Sequence, residues 1–188
     1  VVPMPLPKSI AIRIGNSLFN GLFGDNKAER KALIAEYRSA LPDSDSYTVL
    51  ERVQSDGLYR MRSIQAAEIH SNTSSGRTYM YQFEYETKGF NGAFGAFHGF
   101  DAAFMFNNLS TVGVCLGNET TVAEAQVLAN SITDAWATFA RTGTPASSDL
   151  PEWPEFDARK RQTMILNKHS EVVSDPDSHI RKIWEHRR

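Results

Sequence analysis

A single cysteine, Cys115, stands among 188 residues. No internal disulfide can form, so the chain is not a disulfide-stapled secreted miniature. The same scarcity leaves no thiolate zinc site. His169, His179 and His186 lack metal-ligand spacing on a clear helix face, so no metal is expected. An excess of one charge is also missing, since 20 Lys plus Arg stand against 22 Asp plus Glu for a net charge of −2. Nucleic-acid binding needs a concentrated basic face, and this balance does not supply one. No apolar run approaches the roughly 20 residues of a membrane-spanning helix. Neither nucleic acid nor membrane is therefore an expected partner. The opening stretch, Val1 to Ile10, has no initiator Met, charged leader or cleavage-type pattern. It reads as the middle of a longer protein.

What is present is enough apolar material, 41% of residues with 11% aromatic, to bury a core. Val1–Pro7 carries three alternating prolines and favours an extended opening. Ile10–Phe23 suggests a short helix. Asp25 or Asn26 can cap a helix over Ala28–Ala40, stopped at Leu41-Pro42. Tyr47–Gln54 suggests another short helix. Asp56 has the look of an N-cap for a longer one reaching His70, with Leu58, Met61, Ile64 and Ala67 spaced by three. Thr78–Tyr85 alternates aromatic with mixed residues and gives the best strand signal. Gly89–Gly99 is then a glycine-rich loop, and Asn107–Asn118 a polar loop around an inert, core-facing Cys115. Thr121–Arg141 has an amphipathic helix pattern with Leu128, Ile132, Ala135, Trp136 and Phe139 on the buried stripe, ending at Gly143. Thr163–Leu166 and Glu171–Val173 suit short strands, and Ile180–Arg188 a terminal helix or tail. The order of elements suggests a portion of an α/β sandwich. Three glycosylation-type triplets begin at Asn72, Asn108 and Asn118, a pattern common by chance.

Chemistry concentrates after the strong strand, in Gly95-Ala96-Phe97-His98-Gly99-Phe100-Asp101. A histidine on a glycine-flanked loop at a strand's end can face a cleft from a fixed backbone, as a general base should. The bland alternative is a loop histidine with a satisfied hydrogen bond. Phe94 and Phe97 either face that cleft as substrate-binding residues or join the core. Phe104 and Phe106 suit the core.

The run Gly95 to Phe106 is followed by Asp134-Ala135-Trp136-Ala137-Thr138-Phe139-Ala140-Arg141-Thr142-Gly143-Thr144-Pro145. Trp153-Pro154-Glu155-Phe156-Asp157, Arg161-Gln162-Thr163-Met164 and Asp175-Pro176 come next. Together these resemble the C-terminal part of type-B carboxylesterases, the family of cholinesterases and bacterial p-nitrobenzyl esterases. Gln54 to Arg60, ahead of Ala66-Ala67-Glu68, is similar to that family's helix before the strand. The resemblance implies an α/β-hydrolase fold, with mainly parallel strands and flanking helices. Residues 1–188 would then form a single partial domain, its C-terminal segment. It also implies a Ser–Glu/Asp–His triad in that chain order, with His98 at the histidine's place. Asp101 falls where the family keeps a buried, hydrogen-bonded carboxylate.

The rest of that machinery is absent from these residues. No Gly-x-Ser-x-Gly occurs, since Gly15-Asn16-Ser17-Leu18-Phe19 lacks the second glycine. There is no oxyanion-hole glycine run, and the family's acid lies upstream of these helices. The expectation is a serine carboxylesterase segment that supplies the histidine, inactive alone. An N-terminal portion or companion chain would complete it around a small-molecule ester, with no cofactor. The alternative is a non-catalytic cholinesterase-like binding or adhesion module.

Overall fold

The computed structural model describes residues 26–92 and 94–187. The expected extended opening at Val1–Pro7 and short helix at Ile10–Phe23 lie outside them. The chain divides into two compact units, one comprising residues up to Ala66 together with those from Asp177, the other Ala67–Pro176.

In the first unit, α1 spans Lys27–Ala40 and α2 Ser46–Ser55. The Asn26 side chain caps α1 by accepting from the Glu29 amide at 3.1 Å. Asp45 caps α2 through the Thr48 amide at 2.8 Å. The helical path does not stop at Asp56. It continues through a π-helical turn, Asp56–Arg60, into α3, Met61–Thr73, whose residues from Ala67 on are counted in the second unit. Asp56 is therefore no N-cap: its own amide donates to the carbonyls of Arg52 and Val53, and the residue is fully buried. Met61, Ile64 and Ala67 are buried at the expected spacing of three. The last helix, α7, spans Ser178–Glu185. Leu33, Tyr37, Val49, Val53 and Ile180 form this unit's apolar core.

A charged network borders that core. Tyr37 Oη donates to Asp56 Oδ2 at 2.7 Å, and Trp184 Nε1 donates to Tyr37 Oη at 2.5 Å. Arg52 Nε reaches the same Asp56 oxygen at 3.1 Å and also pairs with Asp177. Arg60 bridges the same two carboxylates at 3.5 and 3.7 Å. Burying Asp56 is tolerable only because these donors surround it.

The second unit is built on a sheet of order β1-β2-β3, with β1 Tyr81–Phe83, β2 Gln162–Leu166 and β3 Glu171–Ser174. β1 lies parallel to β2 with Tyr81 opposite Met164, while β3 returns antiparallel. The link from Leu166 to Glu171 is too short for a parallel crossover, which fixes that reversal. Of the strand signal at Thr78–Tyr85 only Tyr81–Phe83 is regular strand, although the Glu84 amide still donates to the Leu166 carbonyl of β2 at 2.9 Å. The Thr78 carbonyl accepts from the Phe156 amide, and the Met80 carbonyl from the Met164 amide and the Trp153 indole.

A six-residue helix, α4, follows at Phe100–Met105. The expected polar loop at Asn107–Asn118 instead holds a 3₁₀ turn, Leu109–Val112, and a single helical turn, α5, Gly113–Leu116. The buried Leu109 and Leu116 pull that segment onto the core. Helix α6 spans Glu119–Thr142. It opens on a capping box between Asn118 and Thr121 and ends at Gly143, whose φ is +75°. It packs against α4, and Thr133 Oγ1 donates to the Phe104 carbonyl at 3.1 Å. Leu128, Ile132 and Ala135 are buried as expected, but Phe139 is exposed and only edges onto Tyr79. Among the described residues no helix is long and apolar enough to cross a membrane.

Candidate active site

Beyond the C-terminal end of β1, the chain enters a closed loop. The Thr87 amide donates to the Gly95 carbonyl at 2.9 Å and the Gly95 amide to the Gly92 carbonyl at 3.0 Å. Gly89 anchors the base: a Cβ there would stand 2.0 Å from the Val114 carbonyl oxygen. Only glycine permits that approach. Phe90 and Asn91 take left-handed backbone, with φ of +54° and +55°. Such conformations are costly for side-chain-bearing residues and concentrate where function holds them.

The loop presents a run of rings. Phe90 meets Phe94 edge-on at 5.3 Å, and Phe94 meets Phe97 at 6.4 Å. Phe97 stacks on Phe100 at 4.8 Å. Phe94 is exposed, Phe97 half-buried and Phe100 fully buried, so the run leads from surface to core.

His98 is exposed on the turn between these rings and α4. Gly99 follows it at φ +83°, and the Phe100 amide donates back to the Phe97 carbonyl at 3.1 Å. The histidine thus sits outside any regular element, on a backbone fixed from behind. Asp101, in the first turn of α4, accepts from Tyr81 Oη at 3.0 Å. Burial, then the nearby Asp101 charge, pushes the Tyr81 phenol well above its ordinary range, so it stays a proton donor.

Two assignments from sequence change. Phe106 is not core but 81% exposed. At 3.6 residues per turn it points away from the buried face made by Phe100, Ala103 and Phe104. Cys115 is half-buried beside the core, with its carbonyl taken by the Lys88 amide. Tyr81 was not singled out by sequence. No local signal pairs it with a carboxylate 20 positions further along the chain. Among the described residues, no three His, Cys, Asp or Glu side chains converge as metal ligands.

Comparison with known proteins gives this geometry its context. The carboxylesterase family model matches residues 10–184. Para-nitrobenzyl esterase from Bacillus subtilis is 34% identical over 106 residues, 55% of this chain and 21% of that protein. Phenmedipham hydrolase from Pseudarthrobacter oxydans is 28% identical over 156 residues, 81% of this chain and 30% of that one. The solved structure of a Geobacillus stearothermophilus carboxylesterase superposes with a TM-score of 0.66 at 28% identity. That match covers 82% of this chain and 31% of the other. The matched span is thus 21–31% of these relatives' lengths. With the family match running through nearly all of its residues, the chain belongs to the carboxylesterase family and carries part of an α/β-hydrolase fold.

Proposed function

We propose that this chain is the histidine-bearing part of a serine carboxylesterase. The observation that carries the reading is His98, exposed on a glycine-flanked turn beyond the C-terminal end of a parallel strand, in a chain of this family. Ligand sites of open α/β sheets lie at that end. The serine and the acid lie outside these residues, on an N-terminal portion or companion chain.

In the completed site, the His98 imidazole takes the proton of the serine hydroxyl as that oxygen attacks the ester carbonyl carbon. The imidazolium then gives the proton to the departing alcohol oxygen, leaving an acyl-enzyme. A water delivered through the same imidazole attacks the acyl carbon and releases the acid. The steps need no metal or organic cofactor. Phe94 and Phe97, whose rings meet at 6.4 Å on the loop just before His98, would offer the substrate an apolar wall. That wall, together with the name of the para-nitrobenzyl esterase relative, favours a small ester carrying an aromatic group.

The test compares three samples on p-nitrophenyl esters. The 188 residues alone should show no turnover above background, because they hold a base without a nucleophile. Joined to the serine-bearing portion, they should be active. His98→Ala in that joined protein should lower kcat by about 10⁴-fold, as loss of a triad member does. Near-full activity in His98→Ala would overturn the reading. An N-terminal portion or companion chain without a nucleophilic serine would support the binding module instead.

A further inference from the structure

The residues after His98 are held at two points. Phe100 is a buried apolar peg, in contact with Phe83 at 5.9 Å, Phe97 at 4.8 Å and Phe104 at 5.3 Å. Asp101 is a polar peg, held by Tyr81 Oη at 3.0 Å. The Tyr81 ring is itself wedged edge-on between Trp136 at 5.1 Å and Trp153 at 6.4 Å. Ala103 and Phe104 anchor the far end of α4 in the core, and the first turn beside His98 is held by these two pegs. Two pegs on successive residues point in different directions and fix that turn's rotation.

The turn needs such external support. Gly99, between His98 and the helix, offers no side chain to cap α4, and a Cβ added there would meet nothing within 4 Å. The backbone that carries His98 is therefore placed by what grips the residues just after it. A base misplaced by about 1 Å can lose on the order of 100-fold in rate. A charged acceptor such as Asp101 also makes the Tyr81 hydrogen bond stronger than a neutral one.

We propose that Tyr81 is a positioning residue for the His98 base, acting through Asp101 to fix the first turn of α4. The proposal rests on the esterase reading above. Tyr81 touches no reacting atom in this scheme. It sets where the base stands, not what the base does.

The test uses the joined, active protein. Tyr81→Phe keeps the ring and its contacts with Trp136 and Trp153 while removing the hydroxyl. Asp101→Asn keeps the size and removes the charge. Each is measured for kcat per active site titrated with a serine-directed organophosphate, for KM, and for melting temperature, well below the melting range. Each single change should lower kcat by about 10-fold with KM changed less than about 2-fold, and the double variant should be no slower than the worse single. Normal kcat in both singles, with only a lower melting temperature, overturns the proposal while an inactive His98→Ala leaves the base reading standing. Full activity in His98→Ala overturns both. If Tyr81→Phe fails to fold, Asp101→Asn alone decides by the same kcat criterion.

Discussion

Tyr37, fully buried, and Tyr81, half-buried, each donate a phenolic proton to a carboxylate, at 2.7 Å to Asp56 and 3.0 Å to Asp101. Their surroundings differ. Around Tyr37 stand Arg52, Arg60, Asp177 and the Trp184 indole, a network in which each member compensates another. Around Tyr81 stand the edges of Trp136 and Trp153, which hold the ring but carry no charge. The same pair of groups can thus lock a helix cluster in one unit and aim a turn in the other. Which role it takes depends on whether its neighbours answer it with charge or with shape.

The hardest way to break the comparison is to remove the carboxylate at its centre in the first unit. Asp56→Ala leaves Arg52 and Arg60 to share Asp177 alone and Tyr37 without its acceptor, and should cost about 3–5 kcal/mol, read from urea unfolding. Hydrogen exchange should show the loss in α1, α2 and α7 rather than in α6.

Removing one hydroxyl from each unit sharpens the contrast. Tyr37→Phe leaves an Asp56 oxygen and the Trp184 indole short of a partner and should cost about 1–3 kcal/mol. Turnover per titrated site should stay unchanged, the reverse of what is expected for Tyr81→Phe. A kcat loss in Tyr37→Phe would mean that the two tyrosines are not distinguished as described.

Acid separates the units by charge. Burial pushes the Asp177 carboxyl up, but Arg52 and Arg60 outweigh it and hold the group below its ordinary range. A depressed folded value gives stability that is present above the unfolded value, about 4, and is lost as pH falls through the folded one. Below about pH 4, pulsed hydrogen exchange should find α1 and α7 opening before α6. Alkali should not separate them. Burial raises both phenols, and the Asp56 and Asp101 charges add to it. That contribution is present below an unfolded value of about 10 and is lost from both units as pH rises beyond it. The smallest effect belongs to a single cap. Asn118→Ala should cost about 1 kcal/mol, confined to α6 and visible as a modest fall in melting temperature.

Local signals carried much of this architecture. Asn26 ahead of α1, Gly143 after α6 and the spacing of Met61, Ile64 and Ala67 are all legible, because caps and helical periodicity act within a few residues. The place of His98 on an exposed turn outside any regular element was legible through its flanking glycines. Asp56 was misread for the same reason that the caps were read well. Ser55-Asp56-Gly57 has the composition of a helix start, whereas the partners that let Asp56 be buried inside a helix come from Tyr37 and Arg60 and from a network reaching Asp177. Arg52 and Arg60 lie four residues to either side of Asp56, but nothing nearby marks Tyr37 or Asp177. The Tyr81–Asp101 bond was hidden likewise, since it joins a strand to a helix 20 positions on. The helical turns at Leu109–Leu116 answer to the core beneath them rather than to their own polar pattern.

The parallel pairing of Tyr81 with Met164 also has a consequence in time. Helix α6 needs only its own sequence and can close in about a microsecond, but β1 must wait for β2, some 80 residues further along. On a ribosome adding about 5–20 residues per second, that wait is on the order of 4–16 s. Throughout it, Tyr79, Tyr81, Phe83 and Tyr85 stand as an unpaired aromatic strand. Nascent chains of this protein therefore pass through a window in which a chaperone or a neighbouring strand can claim β1, and slower synthesis across Pro145–Pro154 widens it.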